Sequence, residues 1–194
     1  LFVNSLLKKK KTTIVEVWGR EGSSSALDRH NGFSDALIHN NNVTVKNVYG
    51  RWHRDEAKVN IAALGSFENI DIVYAHNDPM ALAAREAIEV DPQAAERIKF
   101  IGIDALPGKG KGIEAVRDGY LTASFVYPTG GSTAIKVAWQ ILNGMPVSKH
   151  YALTSALIDK DNAGTIYLQT EQLADYQDQI EKQRNNLDKM FSEY

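Results

Sequence analysis

The segment FIGIDALPGKGKGIEAVRDGYLTASFVYP, Phe100–Pro128, contains the pattern that decides the fold. An apolar, β-branched run at Lys99–Ile103 precedes a glycine-rich turn, and a second such run lies at Leu121–Val126. Between them, Gly112–Asp118 has a helical pattern. The runs are typical of strands, and short turns on either side of a helix indicate a parallel pair with a crossover helix.

The same alternation extends outward from this segment in both directions. Further strands are predicted at Thr12–Trp18, Val43–Tyr49, Asp71–Ala75 and Ala152–Asp159. Further helices are predicted at Ala26–His39, Asp55–Phe67, Pro79–Glu89 and Gly130–Asn143, with Asp55 as an N-cap, Pro79 in a first turn and Gly144 as a stop. The first, third and fourth strands are apolar on both faces, as a sheet covered by helices requires. We therefore predict an α/β fold with a doubly wound parallel sheet, whose ligands bind beyond the carboxyl ends of the strands.

Composition excludes several kinds of partner. The 194 residues are 43% hydrophobic with a net charge of −2, which suits one globular domain with appendages and gives no electrostatic case for nucleic acid. The one basic cluster, Lys8–Lys11, fits the solvated end of a helix. The chain has no cysteine, so a disulfide framework and cysteine-based zinc sites are excluded. The sequence contains no signal peptide and no apolar run long enough to cross a bilayer. Because Leu1–Lys11, LFVNSLLKKKK, is typical of the tail of a helix, the missing signal peptide is uninformative.

Motifs of catalysis are missing from the sequence. It contains no GxSxG, GxxxxGK[ST] or HExxH pattern, and the triplet His76–Asn77–Asp78 does not by itself bring three groups to one substrate atom. The histidines show no metal-ligand spacing on a helix and are interpreted as surface or packing residues: His30, His39, His53, His76 and His150. We expect a binding module that is not an enzyme and that needs no cofactor and no metal.

Four residues that suit a sugar follow successive predicted strands. They are Arg29, Trp52, Asn77 and Asp104. Carboxyl ends of parallel strands share one edge of a sheet, so these side chains should face one crevice. Arginine donates from a fork, aspartate accepts from hydroxyls, asparagine does both, and tryptophan offers an apolar face to a sugar ring. Each alone has an alternative as a loop cap or a surface group, but together they predict a ligand-binding site.

Three motifs resemble those of the type I periplasmic sugar-binding protein family, over roughly residues 12 to 158. They are SALDRHNGF, NDPMALAA and GIDALPGKGKGIEAV. The resemblance implies that Arg29, Asn77 and Asp104 contact a ligand and that Trp52 stacks on it. One position departs from the pattern: Val126 stands where ribose-binding members have a polar contact, which argues against ribose itself.

In this family the ligand lies between two lobes, and the chain resembles the second. The resemblance implies four segments: 1–11 as the helix tail of a missing N-terminal lobe, 12–128 as the C-terminal α/β lobe, 129–169 as a crossover helix with the final strand, and 170–194 as a heptad linker helix. The crossover helix carries an apolar face of Ile135, Val137, Ala138, Trp139, Ile141 and Leu142. Because soluble proteins rarely expose such a face, we expect a second copy of the chain or residues 1–11 to cover it.

The final segment, from Thr170, has the spacing of a coiled coil. Apolar residues fall alternately three and four apart and are interrupted by Gln183: Leu173, Tyr176, Ile180, Leu187, Met190 and Tyr194. An amphipathic helix packed back on the domain is one reading. We favour a projecting helix that pairs with a second copy.

Such a helix distinguishes between members of the family. Sensor domains of hybrid two-component histidine kinases continue into a helix toward the membrane, whereas soluble import receptors and LacI-type regulators do not. The sequence therefore predicts the periplasmic sugar-sensing domain of a membrane-anchored histidine kinase that forms a homodimer. The alternatives are a soluble sugar-binding protein of an ABC importer and the effector domain of a LacI-type transcriptional regulator.

Overall fold

A single mixed sheet and its flanking helices make up the described part of the chain. The structure is a computed structural model that describes residues 6–7 and 11–192, without the side chains of residues 186–192. The strands are β1 Thr12–Trp18, β2 Val43–Tyr49, β3 Ile72–Ala75, β4 Lys99–Asp104, β5 Ala123–Val126 and β6 Leu157–Asp159. The helices are α1 Ser24–Leu37, α2 Arg54–Ala62, α3 Asp78–Ile88, α4 Pro92–Arg97, α5 Gly112–Arg117, α6 Gly131–Leu142 and α7 Ala163–Ser192.

The strand order is β2-β1-β3-β4-β5-β6. Strands β1 to β5 are parallel, and β6 pairs with β5 in the antiparallel direction at the edge. The chain moves from β1 to one edge and then returns past β1 to β3, so the winding reverses between β1 and β3. This order confirms the predicted doubly wound α/β fold, in which ligands are expected beside that reversal.

Hydrophobic packing covers both faces of the sheet. On one face, Val15, Val17 and Phe100 pack in a large cluster with residues of α2, α3, α4 and α5. On the other face, Phe33 of α1 packs with Ile14 in a smaller cluster, and Leu6 and Leu7 lie against it. The alternation of β1 side chains between these two clusters explains why the strand is apolar on both faces.

Strand β1, predicted to be apolar on both faces, nevertheless contains one buried acid, Glu16. The Glu16 side chain is fully buried, and its carboxylate lies 3.0 Å from His76 Nε2 and 3.0 Å from His30 Nδ1. The Gly19 N–H donates to His76 Nδ1 at 3.2 Å, so the His76 proton lies on Nε2 and faces the acid. These partners offset the cost of burying a carboxylate. They also make His30 and His76 packing residues.

Several helices and strands begin or end at residues other than those predicted. Helix α2 ends at Ala62, and His53 rather than Asp55 holds its N-cap position. Strand β6 is shorter than the predicted run, since pairing begins at Leu157. Helix α4 was missed, although Asp91 caps it by accepting a hydrogen bond from the Ala94 N–H at 3.1 Å.

Helix α7 leaves the sheet and its flanking helices after two turns. It begins at Ala163, seven residues before the predicted start; Ala163 is buried, and Ile166 and Tyr167 pack against the core. Every side chain from 171 to 185 is exposed, so this part does not fold back on the domain. The predicted seam positions Leu187, Met190 and Tyr194 lie outside the described side chains. Within the described chain, no helix combines the length and apolar character needed to cross a membrane.

Helix α6 keeps its apolar face in solvent. No residue of this helix is buried, and Ile135, Trp139 and Leu142 are 73%, 60% and 85% exposed. Leu6 and Leu7, the described members of residues 1–10, pack beside α1 and not on α6.

Candidate ligand-binding site

The loops that follow the parallel strands converge on one cavity. All four residues predicted from the sequence line it, together with Ser25 and Tyr127, in a volume of about 340 Å³: Arg29, Trp52, Asn77 and Asp104. Arg29 projects from α1, Trp52 and Asn77 lie within three residues after β2 and β3, and Asp104 is the last residue of β4. The carboxyl-end rule for parallel sheets therefore explains why residues 75 positions apart meet here.

Arg29 is the centre of the cavity. Its guanidinium carbon lies 5.2 Å from the centre of the Trp52 ring and 4.9 Å from that of Tyr127, so both aromatic faces hold the cation. One terminal nitrogen donates to the Ser25 carbonyl at 3.2 Å, and the other lies 3.6 Å from Asp104 Oδ1. Its buried Nε has no hydrogen-bond partner among the described residues. The side chain is thus fixed in place while keeping donor capacity for a ligand.

The Trp52 ring is held by an unusual turn after β2. Arg51 and Trp52 have φ of 48° and 72°, a left-handed conformation that is costly for residues with side chains. Arg51 ties this turn to its surroundings through Glu21 at 2.9 Å and Glu56 at 2.8 Å. The ring lies directly on Gly19, where a Cβ would approach it to 2.2 Å. A side chain at position 19 would therefore displace the aromatic face.

Asn77 has a structural role as well as a place in the cavity. Its Oδ1 accepts a hydrogen bond from the Met80 N–H at 2.9 Å and so caps α3. The alternative of a loop cap, considered from sequence alone, is therefore correct for one atom of this side chain. The amide nitrogen remains as the group able to donate to a ligand.

Asp104 ends β4 with a strained backbone. Its φ is 117°, and the following Ala105 has φ of 45°. Partial burial raises the pKa of the Asp104 carboxyl, while the nearby Arg29 charge acts in the opposite direction. The side chain keeps 26% of its surface exposed and can accept hydrogen bonds from hydroxyl groups.

Sequence reasoning missed Ser25 and Tyr127 as lining residues. Tyr127 directly follows β5, so the rule that selected the other residues also applied to it. Val126, noted for its departure from the family pattern, lines a neighbouring and more apolar cavity of about 710 Å³ with Phe125 and Leu153. A further cavity of about 690 Å³ lies at the opposite end of the sheet and contains none of the predicted site residues.

The side chains of the cavity suit the binding of a small molecule. They combine donors, a carboxylate acceptor and two aromatic faces, which suits a small molecule with hydroxyl groups on an apolar ring. Among the described residues, no group of three or more His, Asp or Glu side chains is arranged to hold a metal ion.

Comparison with known proteins agrees with this architecture. Residues 3–146 match the periplasmic binding protein domain family, and the chain belongs to it. The fructose binding periplasmic domain of the hybrid two component system BT1754 is 36% identical, with a TM-score of 0.84 over 93% of this chain and 60% of that one.

Curated relatives are similar over a shorter range. The ribose import binding protein RbsB of Salmonella typhimurium is 29% identical over 76% of this chain and 49% of the relative. The galactofuranose-binding protein YtfQ of Escherichia coli is 34% identical over 59% of this chain and 37% of the relative. The chain thus spans about half, or less, of the curated relatives it matches.

Proposed function

We propose that this chain is one lobe of a periplasmic domain that binds a monosaccharide through Arg29, Trp52, Asn77 and Asp104. The observation that carries the proposal is their convergence on one cavity with a guanidinium held between two aromatic rings. Proteins that resemble the chain are named for fructose, ribose and galactofuranose. Tyr127 adds an aromatic face that suits a sugar ring. Val126, next to it, stands where ribose-binding members of the family have a polar contact, and this favours a sugar other than ribose.

We further propose that the complete protein is a membrane-anchored sensor kinase in which sugar binding acts on helix α7. The support is the projecting helix, whose side chains are exposed from residue 171 to residue 185, together with the similarity to a periplasmic domain of a two component system. In this view the sugar closes a clamp between this lobe and a partner lobe, and two copies of α7 pair to transmit the change. The domain itself binds ligand and performs no catalysis.

A soluble import receptor is the second candidate. Its support is the similarity to the ribose import binding protein over 76% of the chain. The two candidates share the sugar site and differ in the role of α7, which a receptor does not need for pairing.

The test of the sugar site is calorimetry on the complete natural protein with D-fructose, D-ribose and D-galactose. We expect one hexose to bind and D-ribose to bind more weakly. Absence of binding to every sugar in this panel would contradict the monosaccharide proposal. A monomeric protein whose sugar affinity is unaltered by removal of α7 would favour the import receptor.

A further inference from the structure

Asp78 lies directly beneath the cavity and is not one of its lining residues. It follows Asn77 at the start of α3, and only 4% of its surface is exposed. Its Oδ2 accepts a hydrogen bond from the Ala105 N–H at 2.8 Å, and its Oδ1 accepts one from the Ser124 hydroxyl at 2.6 Å. The carboxyl therefore connects the start of α3 with the residue after Asp104 and with β5.

The backbone that Asp78 holds is the strained turn at Asp104 and Ala105. Both residues have positive φ, at 117° and 45°, and neither is glycine. Such a turn persists only when its surroundings determine it. The fully buried Ser124 hydroxyl lies 3.1 Å from the same Ala105 N–H, so two acceptors converge on one donor.

Two glycines leave the space that the Asp78 carboxyl occupies. A Cβ on Gly102 of β4 would lie 2.1 Å from Asp78 Oδ1, and a Cβ on Gly112 of α5 would lie 1.9 Å from Oδ2. The carboxyl is thus enclosed between a strand and a helix, with its position fixed from both sides. This close approach explains why neither position carries a side chain.

We propose that Asp78, supported by Ser124, is the positioning residue for Asp104: it holds the Asp104–Ala105 turn so that the Asp104 carboxylate faces Arg29 and the ligand. The proposal rests on the function proposed above for Asp104. Asp78 does not touch the ligand, and its effect on binding passes through the backbone of Ala105.

The charge of Asp78 is coupled to the same turn. Burial raises the pKa of Asp78 to about 7, the hydrogen bonds from Ser124 and Ala105 oppose this rise, and the negative charge of Asp104 adds to it. Gly102 of β4, Ser124 of β5 and Gly112 of α5, which pack against the carboxyl, carry no charge. Since Asp78 and Asp104 influence each other, the protonation of Asp78 near neutral pH should alter the affinity of Asp104 for a hydroxyl donor.

A first experiment measures the turn without any ligand. Hydrogen exchange at the Ala105 amide, followed by NMR in the complete natural protein, should accelerate at least tenfold in Asp78→Ala and in Ser124→Ala. Asp78→Asn should retain protection, because its amide oxygen still accepts from Ala105. The matched control is Thr122→Val, which removes a hydroxyl that accepts from the Phe100 N–H at the other end of the same strands. Unchanged exchange at Ala105 in Ser124→Ala would overturn the proposal, and this variant decides the matter even where Asp78→Ala does not fold.

A second experiment measures affinity for the tightest sugar of the panel. We expect Ser124→Ala to bind about tenfold more weakly, Asp78→Asn to bind nearly as well as the unaltered protein, and Thr122→Val to show no change. Affinity should vary between pH 6 and pH 8 in the unaltered protein and should be flat in Asp78→Asn. If Ser124→Ala frees the Ala105 amide yet binds sugar with full affinity, the turn does not position Asp104. If no sugar binds at all, the proposed function fails, while the exchange measurement still decides whether Asp78 holds the turn.

Discussion

Asp104 is the single charged acceptor in the candidate site, and its removal is the most direct test of recognition. A hydrogen bond to a charged group contributes about 1.5–3 kcal/mol. Asp104→Ala should therefore weaken sugar binding by about tenfold to a hundredfold in calorimetry. Asp161→Ala is the matched control, because the Asp161 side chain is exposed and forms an ion pair with the neighbouring Lys160 away from the cavity. Equal affinity of Asp104→Ala and the unaltered protein would remove Asp104 from the site.

Because of Asp78, the free energy of unfolding should change with pH in the direction opposite to that expected for a carboxylate that forms an ion pair. Its folded-state pKa of about 7 lies above the ordinary value of 3.8, so the folded state binds the proton more tightly than the unfolded state. The resulting stabilisation is complete below pH 3.8 and is lost as the pH rises toward 7, with a slope of up to about 1.4 kcal/mol per pH unit. Relative to Asp78→Asn, the unaltered protein should therefore lose stability between pH 4 and pH 7 in urea denaturation. If the free energies of unfolding of the two proteins changed in parallel with pH, the pKa of Asp78 would not be raised by folding.

At the scale of elements, the sequence predicted the bounds of strands β1 and β2 to the residue. It also predicted that four side chains lie at one edge of the sheet. The strand bounds were predictable because hydrophobic periodicity depends on neighbouring residues, and the four side chains were predictable because the carboxyl ends of parallel strands share one edge. The pairing of Glu16 with His76 was not predictable in the same way, since it joins residues 60 positions apart on neighbouring strands. Likewise, the hydrogen bond between Asp78 and Ala105 depends on space left by Gly102 of β4 and Gly112 of α5, and nothing in the sequence near either glycine indicates this.

Helix α6 should mediate association through its exposed apolar face. The face includes Ile135 and Trp139, which are mostly exposed in the described lobe. Light scattering of the 194-residue chain should show a dimer, and Trp139→Glu should shift its dissociation to higher protein concentration. Lys136→Glu, a charge change elsewhere on the same helix, is the control and should leave the dimer intact. A monomer at all concentrations would contradict this prediction.

Helix α7 should pair in parallel with a second copy across a two-fold axis. Because the chain contains no cysteine, single cysteines can be introduced without background. Cysteines at Ile180 and Leu187, on the predicted seam, should crosslink between subunits far more readily than cysteines at Asp178 or Arg184. Equal crosslinking at all four positions would argue for the import receptor. Gln183 within the seam should lower the stability of the pair and allow two arrangements.

At the scale of the whole molecule, helix α5 joins the candidate site to α7. It begins eight residues after Asp104, and its Arg117 lies 3.9 Å from the centre of the Tyr167 ring near the start of α7. The Tyr167 hydroxyl donates to Glu114 at 3.2 Å, so the same short helix holds the base of α7 by two contacts. We therefore expect a displacement of the Asp104 turn to reach α7 through these packed elements.

This connection predicts that Tyr167 couples sugar binding to helix α7. Tyr167→Ala should leave sugar affinity within about twofold and should reduce the sugar-dependent change in crosslinking at Ile180. Leu168→Ala, at an exposed position one residue along, is the control. A full sugar-dependent change in Tyr167→Ala would show that coupling takes another route.

The length of α7 beyond its contacts with the domain determines how far a small motion at its base is amplified. Residues 171–192 form a rod of about 33 Å at 1.5 Å per residue, anchored at one end by the contacts of Tyr167. A tilt of about 10° at this anchor would displace the far end by about 6 Å, roughly the pitch of one helical turn. If two copies of α7 pair as proposed, we therefore expect a small tilt at the base of each helix to become a displacement of several ångströms at its far end.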